Sequence, residues 1–144
     1  MTLKLPQTLS VEDYLSFEQQ SDKRYEYAYG YIYAMAGSTV EHNEIITNIQ
    51  NRLLSSARQQ NCALYSENVK LQAADEVFYY PDLMLLCSKA VKGTYIVQHP
   101  CVIIEVLSEN SLRKDRLEKL LIYRTIANLK LYLLVDSRQE AVIG

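Results

Sequence analysis

Tyr80-Pro81-Asp82-Leu83-Met84-Leu85-Leu86 and Cys101-Val102-Ile103-Ile104-Glu105-Val106-Leu107 decide how the rest of the chain must fold. Both are short apolar runs of the kind found in strands buried on both faces. Each carries one carboxylate, Asp82 at the opening of the first and Glu105 inside the second. An isolated ionised carboxylate is costly to bury unless a cation or a set of donors meets it. Glu105 therefore needs a partner, and the expectation is that Asp82 and Glu105 share a divalent metal. Residues 88–100 form a connection long enough for the two runs to pair antiparallel, which sets the start of one beside the end of the other. Asp82 then lies opposite 105–107 at one end of a sheet. Two hard oxygen ligands with room for water suit Mg²⁺ rather than zinc.

Composition bounds the rest. The chain has 144 residues, 49% of them hydrophobic, which is enough for one domain with a single core. Its net charge of −2 gives no global basic field, so nucleic-acid binding must rest on a local patch. Cys62, Cys87 and Cys101 are scattered among apolar residues without zinc-type spacing. They read as three buried thiols of a cytoplasmic protein in a reducing compartment. The N-terminus has no long apolar core, and no run approaches a membrane span.

Ser10-Val11-Glu12-Asp13 reads as an N-cap, with a helix to about residue 20. Aromatic alternation over 24–35, broken at Gly30, reads as a β-hairpin. Residues 40–60 read as a helix with Ile46, Ile49, Leu53 and Ala57 on its apolar stripe. Residues 62–72 read as largely one strand, and 73–76 as a turn. Strands follow at 83–87 and 102–107. A helix from Ser108-Glu109-Asn110-Ser111 to about residue 127 carries Leu112, Leu117, Leu120, Leu121, Tyr123 and Ile126 as its apolar residues. A strand at 129–135 should lie parallel to 102–107 by the right-handed crossover rule. Residues 140–144 read as the start of one more strand. The fold class is mixed α/β (α+β), a mixed sheet flanked by helices with an N-terminal helix and hairpin.

Lys119 sits mid-helix in a partly apolar stripe beside Ile122, Tyr123 and Ile126. About 12 Å of helix separates it from Ser111, so the chain returns it toward the level of Glu105. A lysine beside a metal and a phosphate orients water or stabilises developing charge. The competing assignment is a surface pair with Asp115. Glu26 on the hairpin is either a solvent-facing edge residue or part of the site, and His42 is either a satisfied core histidine or a residue aimed into the site from a helix start. Arg113, Lys114, Arg116 and Arg124 could hold phosphates, or simply solvate a helix face.

Arg24-Tyr25-Glu26 with Gly30, Ala36-Gly37-Ser38 with His42, Tyr80-Pro81-Asp82, Ile104-Glu105-Val106-Leu107-Ser108, Asp115-Arg116 with Glu118-Lys119 and Tyr123-Arg124, and Tyr132-Leu133-Leu134-Val135-Asp136 together resemble the Uma-type restriction endonucleases. That family is similar to the wider P-D…D/E-x-K nuclease superfamily. The resemblance spans nearly the whole chain and implies one restriction-endonuclease-like domain over 1–144, ending short of strands that relatives carry. It implies a Mg²⁺-dependent DNA endonuclease, with Mn²⁺ an alternative. Asp82, Glu105 and the Val106 carbonyl would hold metal, and Asp82, Glu105 and Lys119 would be catalytic. Glu26 and His42 would support the site, and Arg116 and Arg124 would bind phosphate. The superfamily lysine expected two residues after Glu105 is Leu107 here, which moves that role to Lys119. The alternatives are a catalytically inactive nucleic-acid-binding or accessory module of the same fold, or Glu105 as a structural anion paired with Lys119 or an arginine. Double-strand cutting would call for a homodimer, but no residue argues for one.

Overall fold

The computed structural model describes residues 8–88, 93–108, 113–136 and 141–144. Ser10 caps α1 (Val11–Gln19) by accepting the Asp13 N–H, as the sequence predicts. The hairpin forms from β1 (Tyr25–Ala28) and β2 (Tyr31–Ala34), joined through Tyr29 and Gly30, both at positive φ. That is the geometry of a two-residue hairpin turn that matches the twist of its strands. A Cβ on Gly30 would also meet Thr8 at 3.0 Å. The long helix α2 (Val40–Gln59) starts at Thr39, whose hydroxyl accepts the His42 N–H.

The remaining elements are β3 (Ala63–Ser66), β4 (Lys70–Ala74), β5 (Val77–Tyr79), β6 (Leu83–Leu86), β7 (Ile96–Val97), β8 (Val102–Leu107), α3 (Arg113–Tyr123), β9 (Leu131–Asp136) and β10 (Ala141–Ile143). They build two mixed five-stranded sheets, ordered β2-β1-β5-β4-β7 and β10-β9-β8-β6-β3. Pairing is antiparallel except for β4 with β7 and β8 with β9. The expected antiparallel pair is present with Leu83 opposite Ile104 and Met84 opposite Ile103. One further step of that register sets Asp82 opposite Glu105.

The mixed α+β class holds, with the strands divided between two sheets rather than one. Residues 62–72 do not form one strand: the chain turns at 67–69, and β3 and β4 enter different sheets. The short strand β5 falls between the segments read as a turn (73–76) and a strand (83–87), and β7 falls within the 88–100 connection. The expected cap of the last helix and Leu112 lie outside the described residues.

Strand alternation sorts the core. Ile104 and Val106 face α2, packing with Ile46 and Leu83, while Ile103 packs with Met84, Leu71, Tyr79 and Tyr123 of α3. Glu105 shares the face of Ile103, toward the first sheet. On the other side of that sheet Tyr14 stacks on Tyr27 at 4.8 Å and packs with Phe78. Glu18 of α1 pairs with buried Lys70, accepts the Tyr80 hydroxyl at 2.9 Å and accepts the Tyr25 N–H at 2.9 Å. This ties α1 to the residue that precedes Pro81-Asp82. The apolar face assigned to α3 is corrected: Tyr123 and Ile126 are buried, but Leu117, Leu120 and Leu121 are exposed. The leucines lie on a different side of the cylinder from the 119–122–123–126 stripe.

The reading of three buried thiols is also corrected. Cys62 and Cys87 form a disulfide, and Cys101 is a half-buried thiol with its Sγ 2.9 Å from that of Cys87. Strand register explains the pairing. Ala63 lies opposite Leu86 between β3 and β6, so the next pair outward is Cys62 with Cys87. Sequence spacing cannot show this, and the argument for a reducing compartment falls with it. The bond joins the chain after α2 to the end of β6. Closing a loop with a sequence separation of 25 restricts the unfolded chain by about 3 kcal/mol. Cys62→Ser should lower the unfolding free energy by about that amount, measured by urea denaturation. Reductant should destabilise the wild type similarly and leave the variant little changed.

Candidate active site

A cavity of about 690 Å³ opens where the two sheets approach each other. Its walls bring together the start of α2, the first hairpin, the starts of β6 and α3 and the end of β8. Glu26, His42, Asp82, Glu105, Val106, Arg116 and Lys119, all named from the sequence, line it. Arg124 does not. Its side chain is exposed, past the last turn of α3. The expected Lys119–Asp115 pair lies outside the described residues.

Glu105 is 9% exposed. Its Oε1 accepts the Tyr123 hydroxyl at 2.9 Å and lies 3.8 Å from Lys119 Nζ. Burial raises its pKa to about 8; Lys119 and the Tyr123 hydrogen bond oppose the rise, while the charges of Asp82 and Glu26 add to it. Lys119 Nζ lies 3.2 Å from Glu26 Oε1 and 5.0 Å from the centre of the Tyr79 ring. Burial works to lower the lysine pKa, but Glu26 first and Glu105 second outweigh it and hold it above the ordinary value. Lys119 is therefore a fixed ammonium, unsuited to act as a base at neutral pH.

Glu26 is no solvent-facing edge residue. Its Oε2 accepts the Tyr80 N–H at 2.8 Å while the carboxylate pairs with Lys119. Asp82 Oδ2 accepts the Val106 N–H at 2.7 Å, which locks the start of β6 against the end of β8. His42 Nε2 lies 2.8 Å from the Val106 carbonyl and 3.4 Å from Asp82 Oδ2. The Asp82 hydrogen bond leads in raising the His42 pKa; burial opposes it, and the Asp82 charge and the Val106 carbonyl add to the rise. The carbonyl expected to bind metal thus already faces the imidazole, though it retains a second lone pair.

Several residues that line the cavity or back its wall were not named from the sequence as site candidates. Glu67 sits in the turn that separates β3 from β4. Reading 62–72 as one strand hid it, and the Glu67-Asn68 pair was the available turn signal. Tyr123, read as core, carries the hydroxyl that meets Glu105. Arg24 lies over the Tyr80 ring at 5.3 Å and donates from Nη1 to the Glu67 carbonyl.

Carboxylates dominate the lining: among the described residues Glu26, Glu41, Glu67, Asp82, Glu105 and Glu118 face only Arg24, Arg116 and Lys119 as fixed cations. Such a cavity attracts cations and repels a bare phosphate. Asp82 and Glu105, beside each other where β6 and β8 pair, offer hard oxygen donors of the kind a divalent ion takes.

The metal-free protein should lose stability as pH rises. Glu105 has a folded pKa of about 8 against an ordinary 4.5, so the folded state binds the extra proton between those values. Unfolding free energy should then fall through that window, by roughly a few kcal/mol. His42, also raised, adds a loss of the same sign as pH rises past 6.5 through its folded value. Chemical denaturation in chelator at pH 5, 6, 7 and 8 measures the slope, and Glu105→Gln should flatten it to the histidine contribution alone.

Comparison with known proteins agrees with this architecture. A family model described as "Uma2: Putative restriction endonuclease" matches residues 11–144. A protein of Synechocystis, named only as uncharacterized, is 31% identical over 131 residues, covering 90% of this chain and 69% of the relative. A second from the same organism is 29% identical over 141 residues, covering 95% and 80%. The crystal structure of a putative nuclease from Anabaena variabilis superposes with a TM-score of 0.79 at 16% identity, covering 93% of this chain and 77% of the other. The last likeness concerns fold alone. With a family model matched over almost the entire chain and a relative above 30% identity, the chain belongs to the Uma2 family, whose members are described as putative restriction endonucleases.

Proposed function

We propose that the protein is a Mg²⁺-dependent endonuclease that hydrolyses phosphodiester bonds in DNA. The observation that carries this reading is the meeting of Asp82, Glu105 and Lys119 in one acid-lined cavity. Asp82 and Glu105 would hold the ion, with the second lone pair of the Val106 carbonyl as a further ligand. A bound divalent ion lowers the pKa of a coordinated water and offsets charge on the phosphate oxygens.

The protein groups divide the remaining work. Lys119, held charged by Glu26, stabilises negative charge developing on the phosphate or orients the attacking water. Tyr123 fixes the Glu105 rotamer through its hydroxyl. Arg116 lines the cavity, and its guanidinium would be the further cation there to meet a phosphate. Arg124, outside the cavity, is left out of the phosphate set. Among the described residues no helix is long and apolar enough to cross a membrane. With a net charge of −2 the chain provides no wider attraction, so the substrate would have to be held by this local cation set.

A second reading has an observation of its own. Glu26, Lys119, Glu105 and Tyr123 form a connected buried network that would serve equally in a protein without chemistry. Cleavage of supercoiled and linear DNA with Mg²⁺ or Mn²⁺ separates the two. Glu105→Gln should reduce cutting to background while circular dichroism shows the fold retained. Lys119→Ala should lower the rate by roughly 10²–10³-fold, the usual cost of losing one charge-stabilising donor. A Glu105→Gln protein cutting at the wild-type rate would remove Glu105 from the reaction, and a wild type inert on every substrate form would favour the structural reading.

A further inference from the structure

Glu67 has no part in the chemistry above, yet it reaches the same cavity as His42 and Asp82. A ring nitrogen of His42 and one carboxylate oxygen each from Glu67 and Asp82 all lie within 4.8 Å of one another. Three separate elements supply them: the first turn of α2, the turn between β3 and β4, and the opening of β6. An octahedral first-row ion, with bonds of about 2.1 Å, sets its ligand atoms about 3 Å apart when adjacent and about 4.2 Å apart when opposed. The cluster needs little contraction to reach that spacing.

We propose that His42, Glu67 and Asp82 form a second metal position, for a transition-type divalent ion such as Mn²⁺, sharing Asp82 with the Glu105 pair. The inference rests on the metal reading of Asp82 and Glu105 only for its second ion. The three-residue position stands on its own geometry.

Two features of this chain favour an ion over a solvated turn. Arg24 donates to the main-chain carbonyl of Glu67, so the turn is pinned while the carboxylate is left to face the cavity. His42 is 9% exposed, and its Nδ1 is buried without a hydrogen-bond partner among the described residues. Without an ion, Nε2–H donates to the Val106 carbonyl 2.8 Å away, which places the ring proton on Nε2. Nδ1, with no partner among the described residues, can take that proton when the hydrogen bond is given up, which frees the Nε2 lone pair near Asp82. Ion entry then exchanges the Nε2 contact with the Val106 carbonyl for a metal bond. A histidine ligand usually has its second nitrogen oriented by an acceptor, and its absence here makes the position exchangeable rather than tight.

Ligand chemistry sets the preference. One imidazole nitrogen with two carboxylates favours Mn²⁺, Fe²⁺ or Co²⁺ over Mg²⁺, which takes oxygen and water. A carboxylate shared between two ions matches sites in which ions about 3.5–4 Å apart hold the attacking and leaving oxygens of a phosphate.

The test is to count Mn²⁺ bound per chain by electron paramagnetic resonance of the free ion, for wild type, Glu67→Gln and Glu105→Gln. The wild type should bind about two ions and each variant about one. Excess Mg²⁺ should displace the ion left in Glu67→Gln but not the one left in Glu105→Gln. Pulsed measurements should show ¹⁴N coupling from the His42 ring in the wild type and in Glu105→Gln, a readout that needs no Glu67 variant. Two ions in Glu67→Gln, no ¹⁴N coupling in the wild type, or a wild type that binds a single ion lost in both variants would overturn the second position. A single ion lost only in Glu105→Gln would also overturn it and leave the Asp82–Glu105 reading standing. A single ion lost only in Glu67→Gln would support the His42 position and remove Glu105 as a ligand. No Mn²⁺ bound at millimolar concentration would overturn both.

Discussion

Glu105 is a carboxylate on a strand enclosed on both faces, and much of the architecture serves to keep that charge in company. Its companions come from three other elements. Lys119 and Tyr123 reach it from α3, Asp82 stands opposite on β6, and Glu26 on the hairpin holds Lys119 from the far side. Removing any one would leave a buried charge or donor short of a partner, which costs far more than a lost surface contact. The network therefore fixes how α3 and the two sheets sit against each other. Apolar packing alone would tolerate small slippage there.

The compensation is incomplete, and that is its functional interest. Lys119 supplies one positive charge among three neighbouring carboxylates, Glu26, Asp82 and Glu105. Burial is the first cause of the raised Glu105 pKa, and the charges of Asp82 and Glu26 add to it. A cavity in this state is held ready for cations, and only with cations in place does it become hospitable to a phosphate. The net charge of the chain is then a poor guide to its substrate, because the relevant field is local.

Around this centre the apolar clusters act as mounts. The α2 cluster with Ile104 and Val106 supports β8 from behind, and the aromatic cluster of Tyr14, Tyr27 and Phe78 secures α1 over the first sheet. The Glu18 contacts carry that support to Tyr80, whose N–H in turn holds Glu26. At the opposite ends of α2 and β6 from the cavity, the disulfide restrains the same two elements that present His42 and Asp82. Rigid elements on several sides are what a site needs to hold charged groups at fixed separations.

The apolar runs at 83–86 and 102–107, their antiparallel register and the parallel return through α3 were legible in the sequence by itself. So were the α1 cap, the hairpin, and the adjacency of Asp82 to Glu105 that follows from the register. Each depends on a local period or on a short connection, and a one-dimensional pattern carries both. Tertiary structure alone decided that Lys119 pairs with Glu26 across 93 positions, that Glu67 joins His42 and Asp82, and that Cys62 meets Cys87. It also decided that Arg124 faces away while Arg116 faces inward, and that the α3 leucines stay exposed. Those outcomes depend on how the chain passes back and forth between the two sheets, with the turn at 67–69 one of the crossings. That choice is settled by many small packing terms between distant segments, none of which leaves a periodic trace in the order of residues.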